Sequence, residues 1–181
     1  MGHELLEQLR LHWDQHLRPQ LNGLTDDEYL WEPVPGCWSV RPRAEARTTM
    51  AGGGDSLVAD FEVPEPSPAP VTTIAWRLAH LRVGIFGARN AAHFGGPPID
   101  YQTAQWAGDA GTALSQLDQE CERWITGVAS RDEAALTRPI GELEPFPEAP
   151  FAALVLNINR EFIHHGAEIL LLRDLYAHRG A

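Results

Sequence analysis

The chain has 181 residues, 44% of them hydrophobic and 22% charged, and a formal charge of -11. These proportions sit close to the ordinary globular figures of about 45–50% and about 25%, so one folded domain over residues 1–181 is expected, not a disordered chain, a repeat array or a two-domain enzyme. All 14 basic residues are arginines, which excludes a Schiff-base or P-loop lysine, and their scatter along an acidic chain argues against a nucleic-acid partner.

Helical patterning begins at about Glu4 and runs to Leu17, where Leu5, Leu9, Trp13 and His16 fall on one stripe and Pro19 kinks or ends the helix. Thr25 with Glu28 three residues later is a capping-box signature for a short helical turn at Asp26–Leu30, stopped by Pro33, Pro35 and Gly36. From Arg41 to Val71 periodicity is lost in a long loop containing Gly52-Gly53-Gly54 and Pro64, Pro66, Pro68 and Pro70. The alternation in 56–63 allows one short strand without an obvious partner, and a loop of this length, with Trp38, is expected to lie over a functional site as a flap.

A second helix starts at Thr72 or Thr73 and ends at Gly95-Gly96-Pro97-Pro98. It is apolar on two sides, Ile74, Leu78, Leu81 and Ile85 on one and Trp76, Ala79, Val83 and Phe86 on the other, which places it in the middle of a bundle. A third, amphipathic helix covers about Asp109–Val128. A proline-rich loop, Pro139 to Pro150, leads to the last and longest helix, which reaches about Ala177. These elements predict an all-α four-helix bundle with a long crossover loop between helices one and two.

No apolar run reaches membrane-spanning length. The opening MGHELLEQLRLHW has acids and polar residues where a secretory leader needs a basic end and an apolar stretch, so a cytoplasmic location is expected. Cys37 and Cys121, in no CxxC arrangement, read as reduced structural thiols. Motifs for nucleotide folds, serine hydrolases and zincin proteases are absent.

Chemistry concentrates in the last helix, in Asn159-Arg160-Glu161-Phe162-Ile163-His164-His165-Gly166-Ala167-Glu168. At about 100° per residue, Glu161, His165 and Glu168 share a strip with Leu154, Ile158 and Leu172, while His164 lies to the side. A carboxylate and an imidazole at i and i+4 stand at a separation from which both reach one metal ion, although surface pairs and hydrogen-bonded buried pairs share that spacing. His80, on the second helix, is a third donor, with Gly84 and Gly87 leaving room beside it for a neighbouring helix or a bound molecule. Such a 2-His-1-carboxylate set, with open positions, suits Zn²⁺, Ni²⁺ or Fe²⁺. His12 and His16 form a rival i, i+4 pair among Asp14, Gln15 and Arg18, whereas His3, His93 and His178 lie near chain or helix ends and read as solvated or as C-terminal dipole partners.

Together, "TTIAWRLAHL", "LTDDEYLWEPVPGCWSVRP" and "REFIHHGAEILLLRDLY" make the whole chain resemble the DinB-like superfamily of four-helix proteins, which includes YfiT-type metal-dependent hydrolases and the N-terminal domains of mycothiol-dependent maleylpyruvate isomerases. The resemblance implies a divalent metal held by a second-helix histidine, here His80, and a fourth-helix pair. A His-x-x-x-His pair ending at His164 would put Arg160 in the first place, which cannot ligate. The Glu-x-x-x-His form maps onto Glu161 and His165, with Glu168 as a further acid. His164 stands as the substitute ligand if the helix is rotated.

On this resemblance the expected function is a metal-dependent transferase, isomerase or hydrolase acting on a small-molecule substrate, with mycothiol or another low-molecular-weight thiol as co-substrate. Glu168 or His164 would carry protons. The competing expectation is a metal-free, non-catalytic bundle that binds a small molecule or dimerises. Leu156, Ile163 and Leu170, spaced seven apart, would then form a second buried stripe, against helix one or a second subunit of a homodimer.

Overall fold

The computed structural model of the protein describes residues 2–180. Four long helices form the bundle: α1 over residues 2–20, α3 over 74–94, α4 (Ala110–Ala129) and α6 (Phe151–Ala177). Two short helices, α2 (Asp26–Tyr29) and α5 (Glu133–Thr137), sit in the connections, as does an antiparallel pair of strands, β1 (Val40–Pro42) and β2 (Leu57–Ala59). Thr25, Thr73, Asp109 and Asp132 start their helices by accepting a hydrogen bond from the backbone three residues on, and Gly95 ends α3 in the left-handed conformation. The Glu28 carboxylate does not close the expected capping box; it takes a two-point contact from Arg173 of α6, at 2.6 and 3.1 Å.

Helix directions follow from side-chain pairs. Asn159 of α6 donates to the Leu5 carbonyl and Arg173 to that of Gln20, so α1 and α6 run parallel. Asn90 meets Glu120, and Phe94 meets Trp124, so α3 and α4 also run parallel. Arg77–Glu168, Phe86–Phe162 and His93–Phe151 show that α3 and α6 run antiparallel. Between these helices lies a core that includes Leu9, Leu17, Leu78, Phe86, Leu117, Trp124, Val155 and Phe162, all essentially buried. Among the described residues no helix is long and apolar enough to cross a membrane.

Two findings refine the sequence expectations. The second buried face of α6 is Val155, Phe162, Gly166 and Ile169, against α1, whereas Leu156 is 52% exposed and Ile163 and Leu170 are half-buried. A period of seven drifts about 20° per repeat on a straight helix, so the stripe wanders off the buried face. The 56–63 segment, for its part, does find a partner strand, because Val40–Pro42 returns beside it across the intervening loop.

That loop is pinned. Asp60, fully buried, accepts hydrogen bonds from Arg41 Nε at 2.7 Å and from the backbone N–H groups of Ser39 and Arg47, while its carbonyl accepts from Trp76 Nε1 of α3. Removing one member of a buried pair strands the other charge away from water. Asp60→Asn is therefore expected to cost about 3–5 kcal/mol in urea denaturation and to open the 41–60 segment to limited proteolysis ahead of global unfolding.

Candidate functional site

α3 and α6 meet at two histidines. The rings of His80 and His165 stand 4.7 Å apart between centroids and at right angles. Immediately after His80 the helix widens into a π-turn over Leu81–Gly87, in which the Ala88 N–H reaches back to the Val83 carbonyl. Such turns insert an extra residue and re-aim the side chains that follow them, often beside functional groups.

Each ring is anchored at one nitrogen. The Nδ1 of His80 is hydrogen-bonded to the Tyr101 hydroxyl, and its other face stacks on Trp76 at 5.2 Å. His165 Nδ1 lies 2.7 Å from Glu168 Oε2, so the proton sits on Nδ1 and donates to the carboxylate, leaving the Nε2 lone pair free. Arg77 Nη1 is 3.3 Å from the same Nδ1, but a nitrogen already donating cannot accept. The guanidinium instead neutralises Glu168, with Nε 3.1 Å from Oε2, close enough for an ion pair though not aligned as a hydrogen bond.

Burial keeps both rings uncharged. It pushes His80 down to about 3, with the neighbouring His165 adding to the effect, and it lowers His165 against the opposing pull of the Glu168 hydrogen bond. Burial also raises the Tyr101 hydroxyl well above its usual range and lowers Arg77. A neutral imidazole with one nitrogen tied to a partner and the other free is the form that ligates a metal, and carboxylate–histidine is the usual outer support.

The remaining sequence candidates take distinct places. Glu161 Oε2 is 3.7 Å from His165 Nε2, beyond hydrogen bonding but within the spacing of two ligands on one ion; its Oε1 is held from the solvent side by Arg160 at 2.9 Å. His164, with a side chain 62% exposed, lies 3.5 Å from Glu168 Oε1. Among the described residues, the three groups whose ligand atoms lie within 4.8 Å of one another are His164, His165 and Glu168. That trio is the tighter one, but its carboxylate is already engaged by Arg77 and by the His165 proton. His80, His165 and Glu161 do not meet that limit as a set; what they share is donor chemistry, two imidazoles and a carboxylate of the kind that divalent ions take.

The other histidines go elsewhere. His12 is half-buried against Phe162, with Nε2 unpartnered, and His16 is exposed, their rings 6.4 Å apart. His3 pairs loosely with Glu7 near the start of the chain, and His178 bonds the Asp174 carbonyl at the end of α6. His93 is not solvated: it bonds Glu144 at 3.0 Å with both side chains buried.

The family model of the DinB superfamily matches residues 8–169. The chain belongs to the DinB superfamily. No curated protein and no solved structure gives a significant match. In this DinB-superfamily chain the loop from Trp38 onward reaches the site through aromatic contacts, Trp38 on Trp76 at 5.8 Å and Phe61 stacked on Tyr101 at 5.6 Å. Tyr101 and Arg77 escaped sequence reasoning. Tyr101 lies in a segment without periodicity, and an arginine three residues before a histidine on a helix carries no distinguishing pattern. Gly84 and Gly87 were legible as space, and the 95–109 segment fills it: a Cβ on Gly84 would strike the Tyr101 hydroxyl, and one on Gly87 would lie 2.8 Å from Ile99.

Gly84→Ala is accordingly expected to push Tyr101 off His80 and cost about 1–3 kcal/mol through overpacking, measured by thermal unfolding. A second expectation concerns pH. The folded value of His80 lies below the ordinary 6.5, so the unfolded chain binds the proton more readily. Its contribution is whole above about pH 6.5 and is lost as pH falls toward about 3. In chelator-treated protein, His80→Gln should flatten the fall in stability across that window by up to about 5 kcal/mol.

Proposed function

We propose that this chain is a divalent-metal-dependent enzyme acting on a small molecule, with His80, Glu161 and His165 as ligands and a low-molecular-weight thiol of the mycothiol kind as co-substrate. The observation that carries the reading is the convergence of two neutral imidazoles, His165 buried and His80 half-buried, each with one nitrogen already anchored. A bound divalent ion supplies a lowered pKa for a water or thiol and polarises the electrophile's oxygen.

The chain's own residues do the rest. Glu168 accepts a hydrogen bond from His165 Nδ1–H and holds that ring's orientation, while Arg77 pairs with Glu168 and fixes its place. Trp76 and Tyr101 clamp His80 and keep water from two of its sides. His164, exposed and 3.5 Å from Glu168 Oε1, is placed to pass protons between solvent and that carboxylate. Neither cysteine can serve as the nucleophile: both are buried, and burial pushes both thiols up, so the reacting sulfur is an external one. Transfer to that thiol, or isomerisation through it, is the favoured reaction; hydrolysis uses the same groups with water in its place.

One observation favours a second reading, a metal-free bundle. Arg77, Glu168 and His165 already form a closed polar network. Metal analysis of protein purified without a histidine tag separates the two. A single equivalent of zinc, nickel or iron, lost in His80→Ala and in His165→Ala but kept in His12→Ala, is the expected result, with turnover of electrophilic substrates that requires added thiol. Metal-free protein whose stability is indifferent to added zinc or nickel would establish the second reading.

A further inference from the structure

The groove between α3 and α6 continues beyond the imidazoles. Where Arg89 of α3 faces Leu154 and Asn157 of α6, it opens into a cavity of about 240 Å³, walled on the outside by Ile140, Glu144 and Phe146 of the α5–α6 connection. Because the two helices run antiparallel, Gly84 and Glu161 lie between this cavity and the His80–His165 pair. Gly84 and Arg89 are five residues apart, an axial rise of about 7 Å. The Arg89 charge is also felt at both His80 and Tyr101.

The Arg89 guanidinium is under-used. Nη1 donates to the Gly84 carbonyl, Nη2 stands 3.5 Å from Glu144 Oε2, and the buried Nε has no partner. Glu144 has a closer partner in His93, at 3.0 Å. A guanidinium cannot shed its charge, and Nη2, held only by the loose contact with Glu144, keeps donor capacity for an anion entering the cavity that Arg89 lines. Apart from Asn157, the rest of the wall, including Ile140, Leu154, Ala149 and Ala153 with the exposed Phe146 at the rim, is apolar.

The geometry points to this cavity as the binding site of a small monocarboxylic acid with an apolar body, its carboxylate taken by Arg89 and its body lying between Leu154 and Phe146. Its volume is below the roughly 300–1,000 Å³ of sites for drug-sized ligands, so the acid is a compact one. The Glu144 carboxylate beside Arg89 repels a second negative charge, which disfavours phosphates and dicarboxylates. The overall charge of -11 also repels anions at a distance, but salt screens it beyond about 8 Å, and inside the cavity the guanidinium decides. Only the ligand's orientation, with its far end toward Gly84, rests on His80 and His165 being the reacting centre.

Calorimetric titration with benzoate, and with benzamide as its uncharged match, tests the proposal. Benzoate should bind at least about tenfold more tightly than benzamide, the preference should vanish in Arg89→Met, and Phe146→Ala, a change at an exposed side chain, should weaken both ligands. Absence of saturable benzoate binding, equal affinity for benzamide, or unchanged benzoate affinity in Arg89→Met would overturn it. The wild-type comparison needs no variant, so a folding defect in Arg89→Met leaves the test intact. Benzoate binding retained in metal-free His80→Ala protein supports the cavity whatever becomes of the metal reading. Failure of benzoate to bind metal-loaded wild type overturns the cavity alone.

Discussion

Two uncharged imidazoles pressed edge to face between antiparallel helices are the constraint around which the rest of this molecule is arranged. Polar rings enter an interior only if their nitrogens find partners, and a charge there costs far more. Tyr101 answers for His80, and Glu168 answers for His165. Arg77 answers in turn for Glu168, and its own burial is cushioned by the face of Trp76, 5.3 Å away. Each partner is thus a consequence of the one before it.

These partners come from parts of the chain that have little else to fix them. Tyr101 belongs to the irregular 95–109 segment and reaches His80 because α3 has a glycine where any side chain would block it. Trp76 is oriented by its bond to the Asp60 carbonyl, which depends on the buried Arg41–Asp60 pair and the two-stranded ladder at the base of the loop. The proline- and glycine-rich stretch is therefore a braced wall at this site. Its Phe61 stacks on the same tyrosine that holds the histidine. The loop's composition announced irregular backbone; its role as a support came from one buried carboxylate.

The groove that carries the imidazoles also carries Arg89, and the contrast between the two places is chemical. At one end the polar groups satisfy each other while leaving the His165 Nε2 lone pair free; at the other a guanidinium lines a mostly apolar cavity. A reacting centre and a recognition point for a charged end of a small molecule have these complementary needs, and an antiparallel helix pair can present both along one line.

Helix number, order and caps were open to sequence reasoning because they depend on local chemistry: Thr73 before Ile74, Asp109 before Ala110, Pro150 before Phe151 and Gly95 after Phe94 act through neighbouring backbone groups. The inward strip of α6 was open for the same reason, since a 3.6-residue period places His165 with Leu154, Ile158 and Leu172, and all four are buried. The π-turn, the partners Tyr101 and Arg77, the burial of His93 against Glu144 and the strand paired across the loop were not. Each depends on which distant segment comes to rest beside a helix face. Residue types and periodicity alone thus determined that this chain forms a helical bundle with histidines and acids turned inward. Only the tertiary structure decided which nitrogen of each ring is tied and which is free, because hydrogen-bond partners are chosen by proximity in space, and proximity in space leaves no period in the chain.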